Sequence, residues 1–249
     1  MDEKQRNDKM QFAYILPNLF TAASAFLGVA SIVAASMGSF NKAALYIMLS
    51  LIFDGLDGRV ARLTNTTSKF GVEFDSLADV IAFGAAPAMF FYFSVGHNYG
   101  RLGVMAAAIY VVFGAIRLAR FNVMSPSSEP SVFIGVPIPT AAVLVVIWGL
   151  MFRYYPQIFG GLEWALLILQ VAAAFLMVSN IRYPSFKKLN LRKSSIIKVL
   201  TILIVILSVA YLYPVESFCV LVTTYVLYGL VRVAINFFIA KMKKNRYNN

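Results

Sequence analysis

The sequence is poor in cysteine, histidine and charge. It has one cysteine, Cys219, and one histidine, His97, among 249 residues, which excludes a disulfide framework, a thiolate metal site and histidine-based catalysis. Only 13% of the residues are charged, whereas 60% are hydrophobic and the mean hydropathy is +0.74. Because soluble domains carry roughly 25% charged residues, this composition indicates a membrane protein.

The hydrophobic residues are grouped in blocks of about 20, the helix length that crosses a hydrocarbon core of about 30 Å. These blocks are apolar on every face, unlike barrel strands, in which apolar and polar residues alternate. We therefore predict an all-α, polytopic helical bundle with about eight transmembrane helices, forming a single membrane domain, 1–249. The predicted spans are 15–37, 41–63, 70–95, 103–123, 137–153, 161–180, 195–213 and 216–239.

Lysine and arginine are distributed unevenly between the ends of these spans. Eight crossings put both termini on one side, and the basic residues within 4–9 and 241–246 make that side cytoplasmic. Only three basic residues fall at outer ends, namely Lys42, Arg101 and Arg153. We therefore predict a multi-pass protein of the cytoplasmic membrane with both termini inside. Basic loops facing anionic lipids explain the net charge of +11, so membrane lipids and no nucleic acid are the expected partners.

One stretch of this apolar chain is densely charged. Residues 53–79, FDGLDGRVARLTNTTSKFGVEFDSLAD, contain four aspartates, a glutamate, two arginines and a lysine. Asp54 and Asp57 are three residues apart, and Asp75 and Asp79 are four apart, so each pair shares one face of its helix. The two helices are neighbours joined by a short cytoplasmic turn. The four carboxylates can therefore converge near the cytoplasmic face.

Four carboxylates in a low-dielectric setting repel one another unless cations neutralise them. Oxygen ligands without nearby histidine or cysteine favour Mg²⁺ or Mn²⁺, and this number of carboxylates suits two ions that clamp a phosphoryl group. Gly58 and Gly71 would let a ligand approach the backbone, and Arg62 and Lys69 add cations for phosphate. Together these residues predict a pyrophosphate site at the cytoplasmic face. A proton relay, an ion pathway and a structural ion-pair network are the alternatives.

Residues 54–79 follow the pattern D-x-x-D-G-x-x-A-R-x8-G-x3-D-x3-D, which resembles the signature of the CDP-alcohol phosphotransferase family. The resemblance implies that an acceptor hydroxyl cleaves a CDP-linked lipid or alcohol at its pyrophosphate and that CMP leaves. It implies metal ligation by Asp54, Asp57, Asp75 and Asp79, with Asp79 also the catalytic general base. The residues predicted to bind the CDP group are Gly58, Ala61, Arg62, Gly71, Asn18 and Thr21.

Four further stretches resemble the serine-using members of this family in bacteria and archaea. They are LPNLFTAAS (16–24), GAIRLARFNV (114–123), FIGVPIPTAA (133–142) and VSNIRYPSFKK (178–188). The resemblance covers about residues 13–190 as a catalytic core, with two additional helices in 195–239 and a basic tail at 240–249. It implies CDP-diacylglycerol as donor and L-serine as acceptor. Glycerol 3-phosphate or an inositol phosphate as acceptor, and ion or proton-coupled transport, are the alternatives.

Serine is a zwitterion, so its carboxylate needs a cation. The candidates for binding serine or phosphate are Arg117, Arg120, Lys69 and Asn122. Arg117 and Arg120 lie three residues apart at the cytoplasmic end of the fourth helix, where they could instead anchor the helix to headgroups. Asn18 and Thr21, on the first helix, could face the nucleotide or hydrogen-bond across helices. Homodimers are common in the family that the chain resembles.

Overall fold

The computed structural model describes residues 3–64, 66–124, 132–184 and 196–247. These residues are almost entirely helical, and each of the eight predicted apolar blocks falls on a helix. The helices are α1 (Glu3–Ser36), α2 (Phe40–Leu63), α3 (Lys69–Asp79), α4 (Ala86–Ser94), α5 (Arg101–Met124), α6 (Ile138–Tyr154), α7 (Pro156–Phe159), α8 (Trp164–Val178), α9 (Ile196–Leu212) and α10 (Pro214–Tyr247).

The third predicted block is one continuous helix with an irregular centre. A π-helical segment, Val80–Ala85, joins α3 to α4, and a 3₁₀ turn, Gly96–Tyr99, leads from α4 to α5. π-Helical turns are rare and are frequently found at functional sites. Here the segment begins at the residue after Asp79.

Four helices in the described ranges are long and apolar enough to cross a membrane: Ile15–Ser36, Lys69–Ser94, Arg101–Val123 and Pro214–Val233. Two other apolar helices, Ile138–Tyr154 and Trp164–Val178, are shorter. α2 has 24 residues, but Asp54, Asp57 and two arginines interrupt its apolar sequence. The prediction of a helical membrane protein is therefore confirmed at this level.

The ends of several helices meet at one end of the bundle. The last turns of α2 and α5 and the first turns of α3 and α6 surround a common cavity. α1 and α2 are held side by side by two reciprocal bonds, from the Ser24 hydroxyl to the Ser50 carbonyl (3.3 Å) and from the Ser50 hydroxyl to the Ser24 carbonyl (3.0 Å). Small hydroxyl residues of this kind allow close helix packing in membranes.

A two-stranded antiparallel ribbon departs from the purely helical prediction. β1 (Val132–Ile134) pairs with β2 (Arg182–Pro184), and Phe133 lies opposite Tyr183. Gly135 then takes a φ of +76°, which favours glycine, and its N–H donates to the Ile181 carbonyl over 2.8 Å. Pro137 follows as the residue that precedes α6. Glycine and proline together thus stop the chain from continuing as a helix, and the ribbon sets where α6 begins.

Candidate active site

The acidic residues of α2 and α3 converge as the spacing predicts. Carboxylate oxygens of Asp54, Asp57 and Asp75 all lie within 4.8 Å of one another. Asp79 lies outside this group of three but shares a side-chain hydrogen bond with Asp54. The ligand atoms are all hard oxygens, the type that Mg²⁺ and Mn²⁺ prefer. The donor set therefore fits a divalent cation of this class.

Thr21 supports the cluster from the neighbouring helix α1. Its hydroxyl donates to Asp57 Oδ2 over 2.7 Å and also lies 3.2 Å from the Pro17 carbonyl oxygen. Thr21 is 3% exposed and Asp57 is 5% exposed, so little water competes for this bond. Thr21 thus hydrogen-bonds across helices, which is one of its two predicted alternatives, and it also lines the cavity described below.

A cavity of about 460 Å³ opens beside the carboxylates. Its wall contains most of the residues singled out from the sequence. These are Asn18, Thr21, Asp57, Gly58, Ala61, Arg62, Gly71, Asp75, Asp79, Arg117 and Asn122. The cavity is large enough for a polar headgroup and lies at the helix ends.

The two glycines of the motif differ in what surrounds them. A Cβ on Gly58 would have Arg62 Nη1 at 3.6 Å, an ordinary contact, so the space beside this backbone is open. A Cβ on Gly71 would lie 3.2 Å from Ser68 Oγ and 3.4 Å from Asn18 Oδ1. Ser68 also caps α3 by accepting a hydrogen bond from the Gly71 N–H over 3.0 Å. Gly58 thus leaves room for a ligand, whereas Gly71 allows α1 to pack against α3.

Only some of the predicted cations reach the cavity. Arg117 lines it and interacts electrostatically with Asp79. Arg120 is instead bound to the end of α8, where its guanidinium donates to the Val178 carbonyl over 3.2 Å and to Asn180 Oδ1 over 2.9 Å. Lys69, the first residue of α3, is exposed and is not among the described residues of the cavity wall.

Four hydroxyl residues of the described wall, in addition to Thr21, were not predicted from the sequence. The turn between α2 and α3 contributes Thr66, Thr67 and Ser68, and α3 contributes Ser76. Asn122, which was predicted, donates from its amide nitrogen to Ser76 Oγ over 2.9 Å. The sequence TNTTS at 64–68, between two charged helix ends, could have indicated these residues. Hydroxyl side chains of this kind can donate hydrogen bonds to phosphate oxygens.

Comparison with known proteins places the chain in a family. The family model of CDP-alcohol phosphatidyltransferases matches residues 14–176. The chain belongs to this family. The resemblance of the aspartate motif to the family signature is thereby confirmed, and the chain is a membrane transferase of the CDP-alcohol phosphatidyltransferase type.

The chain is similar to two relatives in sequence and to one solved structure in fold. The chain is 52% identical to a CDP-diacylglycerol–serine O-phosphatidyltransferase of Helicobacter pylori over 219 residues, 88% of this chain and 91% of the relative. It is 36% identical to an archaetidylserine synthase of Methanothermobacter thermautotrophicus over 181 residues, 72% of this chain and 73% of the relative. Its fold resembles the crystal structure of Mycobacterium tuberculosis phosphatidylinositol phosphate synthase with CDP-DAG bound. That likeness has a TM-score of 0.51 and 21% identity and covers 68% of this chain and 87% of the other.

Proposed function

We propose that the protein transfers the phosphatidyl group of CDP-diacylglycerol to the hydroxyl of L-serine and releases CMP. The observation that carries this proposal is the 52% identity with the serine O-phosphatidyltransferase of Helicobacter pylori, over 88% of this chain. The reaction class is inferred from family membership, and serine as the acceptor is inferred from the name of that relative. The cavity beside the carboxylates supports the proposal because it holds an acid cluster, open backbone at Gly58 and the cation of Arg117.

In the proposed reaction the serine hydroxyl oxygen bonds to the phosphorus that carries diacylglycerol. The bond from that phosphorus to the bridging oxygen breaks, and CMP leaves with the electron pair. The hydroxyl proton passes to the carboxylate of Asp79, the proposed general base. Asp79 suits this role because it lines the cavity and lies outside the group of three carboxylates.

The proposed cofactor is Mg²⁺ or Mn²⁺, as two ions. Asp54, Asp57 and Asp75 would hold the metal, with Asp79 completing the set. When bound, a divalent ion neutralises the pyrophosphate and stabilises the charge that develops on the leaving group. The chain's own contribution is to hold three carboxylates close together and to fix Asp57 through Thr21.

Other residues of the cavity wall are proposed to bind the substrates. Gly58, Ala61 and Arg62 are the proposed contacts of the CDP group, because the open backbone at Gly58 leaves room beside the Arg62 guanidinium. Arg117 is the proposed partner of the serine carboxylate. Because Arg117 interacts with Asp79, a serine bound there would present its hydroxyl close to the base. Arg120 and Lys69 are not part of this proposal.

The proposed topology has eight crossings, both termini in the cytoplasm and the active site at the cytoplasmic face of the cell membrane. It treats the chain as one domain, with a core at about 13–190 followed by α9 and α10. The charge distribution supports this orientation, because Arg62 and Arg117 line the cavity end, whereas Arg153 lies at the far end of α6 over the Phe40 ring.

The test is CMP release by purified protein given CDP-diacylglycerol, Mg²⁺ or Mn²⁺, and one acceptor at a time. Serine should support release, and chelation of the metal should stop it. Release with glycerol 3-phosphate or an inositol phosphate, but not serine, would keep the reaction class and refute the acceptor. Absence of release with every acceptor, together with ion flux in liposomes, would favour transport instead.

A further inference from the structure

An asparagine and a serine are hydrogen-bonded to each other on the cavity wall. Asn122, near the end of α5, donates from Nδ2 to the Ser76 Oγ of α3 over 2.9 Å. Both side chains are half-buried, and both line the cavity beside the carboxylates. Ser76 lies three residues before Asp79 on the same helix, so the two side chains share a helix face. The pair therefore lies beside the proposed general base.

The hydrogen bonds of Ser76 determine which way the Asn122 amide faces. A hydroxyl has one proton, and Ser76 donates it to the Val72 carbonyl, four residues earlier, over 3.1 Å. Since a carbonyl can only accept, Ser76 Oγ is left to accept from Asn122, and the amide atom beside it is the nitrogen. Asn122 Oδ1 is therefore turned away from Ser76. In the described part of the chain no donor bonds to this oxygen.

The amide oxygen of Asn122 suits a ligand that donates hydrogen bonds. It can accept from the N–H groups of an ammonium, whereas it cannot bond to the oxygens of an ionised carboxylate or phosphate. The carboxylates of the described wall, Asp57, Asp75 and Asp79, already have proposed roles with the metal and as base. Asn122 therefore offers an uncharged acceptor that the proposed reaction does not otherwise use.

An ammonium group distinguishes the acceptors under consideration. Serine carries an ammonium and a carboxylate beside its hydroxyl. Glycerol 3-phosphate and an inositol phosphate carry hydroxyls and a phosphate, but no ammonium. A site that binds the ammonium through a hydrogen bond would therefore favour serine over both, because an acceptor without the donor leaves the amide oxygen unpaired.

We propose that Asn122 binds the ammonium group of the acceptor through Oδ1 and that Ser76 is the positioning residue that holds the amide in this orientation. The inference rests on the proposed function and deepens it, because it takes serine as the acceptor. Arg117, also on α5 and on the cavity wall, is the proposed partner of the serine carboxylate. One helix would then hold both charged groups of serine, while the serine hydroxyl faces Asp79 on α3.

The first test separates the ammonium group from the rest of the acceptor. The probe is 3-hydroxypropanoate, which is serine with a hydrogen in place of the ammonium, and its inhibition constant is measured on the formation of phosphatidylserine from serine. The unsubstituted protein should bind it at least roughly tenfold more weakly than serine, as expected for the loss of a hydrogen bond to a charged group.

The same two ligands are then compared in the Asn122→Leu protein. KM for serine should rise roughly tenfold, because the acceptor of the ammonium is gone. The inhibition constant of 3-hydroxypropanoate should change by less than about twofold, because this ligand has no ammonium to lose. The preference for serine over the probe should therefore largely disappear.

Ser76→Ala tests the positioning role, since it frees the amide to turn. KM for serine should rise roughly three- to tenfold, with kcat and KM for CDP-diacylglycerol changed by less than about twofold. Ser76→Thr keeps the hydroxyl and should restore the normal KM. In an Asn122→Leu background Ser76→Ala should have little further effect on KM for serine, because the two residues act as a unit.

Ser208→Ala is the matched control. The Ser208 hydroxyl also donates to a carbonyl four residues earlier, that of Ile204, over 2.8 Å. Ser208 lies on α9 and is not among the described residues of the cavity wall. This variant should keep the normal KM for serine, and a rise equal to that of Ser76→Ala would refute the role of Ser76.

The outcomes distinguish this inference from the function on which it rests. If the protein uses serine but binds 3-hydroxypropanoate equally well, the ammonium is not recognised and the inference is refuted, while the proposed function stands. If Asn122→Leu weakens both ligands equally, the residue does not bind the ammonium. If Ser76→Ala lowers the unfolding temperature and leaves KM for serine unchanged, the serine only joins α3 to α5. If the unsubstituted protein does not use serine, both proposals are overturned.

Discussion

Thr21 allows the carboxylate cluster to be tested with every carboxylate left in place. Thr21→Val keeps the shape of the side chain and removes the donor that lies 2.7 Å from Asp57 Oδ2. A hydrogen bond to a charged group contributes about 1.5–3 kcal/mol, and about 1.4 kcal/mol is a factor of ten in an equilibrium constant. Asp57 is buried, which strengthens this hydrogen bond relative to one at the surface. We therefore expect the apparent affinity for the divalent metal to fall by about 10- to 100-fold.

The assay is the initial rate of CMP release at saturating CDP-diacylglycerol and serine, with Mg²⁺ or Mn²⁺ as the variable. Thr21→Val should need more metal for half-maximal rate and recover most of the rate at high metal, whereas Thr21→Ser should resemble the unsubstituted protein. The matched control is Ser31→Ala, which removes a hydroxyl that also joins α1 to α2, through the Ala43 carbonyl at 2.9 Å. A normal metal requirement in Thr21→Val, or an equal shift in Ser31→Ala, would refute the reasoning.

Four further substitutions separate the proposed roles. Asp79→Asn should lower kcat by about 10²- to 10⁴-fold without a change in thermal unfolding temperature, because a general base supplies roughly that factor; near-normal turnover would exclude it as the base. Gly58→Ala should fold normally, since its Cβ would lie 3.6 Å from Arg62 Nη1, yet bind CDP-diacylglycerol more weakly in a titration; unchanged binding would show that the ligand stays away from this backbone. Arg117→Met should raise KM for serine, whereas Arg120→Met should lower the unfolding temperature and leave that KM unchanged; the reverse result would exchange their roles.

The helices could be predicted from the sequence because the membrane demands a simple pattern. A chain in lipid must satisfy its backbone hydrogen bonds internally, so long apolar runs become helices, and the predicted blocks fall on the helices described. The ribbon of β1 and β2 could not be predicted in the same way. Its pairing joins residues about 50 positions apart, and neither strand of three residues has a detectable pattern by itself.

The site, like the fold, could be predicted where it depends on local spacing, and could not be predicted where it depends on contacts between distant parts of the chain. Spacings of three and four residues fix which carboxylates share a helix face, and one short turn brings the two faces together, so Asp54, Asp57 and Asp75 could be expected to meet. The hydrogen bond from Arg120 to the Val178 carbonyl could not be predicted, because no local spacing specifies where α8 ends.

The π-helical segment explains how one helix serves both the site and the core. Pro87 has no N–H, so it cannot donate to the Phe83 carbonyl four residues earlier, and its ring would collide with that carbonyl in a regular helix. The helix widens at Val80–Ala85 instead, and the buried Tyr110 hydroxyl donates to the Phe83 oxygen over 3.3 Å. On the other side, Gly28 of α1 lies so close that a Cβ there would be 2.7 Å from the Ala82 Cα.

These contacts hold the irregular turn from two sides. Tyr110 hydrogen-bonds to the widened turn from α5, while the absence of a side chain at Gly28 lets α1 pack against it. The widened turn changes the rotation between α3 and α4 relative to a regular helix. Asp75 and Asp79 can therefore face the acid cluster on α2 while Phe83, Ala86 and Phe90 remain in the core. The orientation of the proposed base thus depends on a proline and a tyrosine that never touch the substrate cavity.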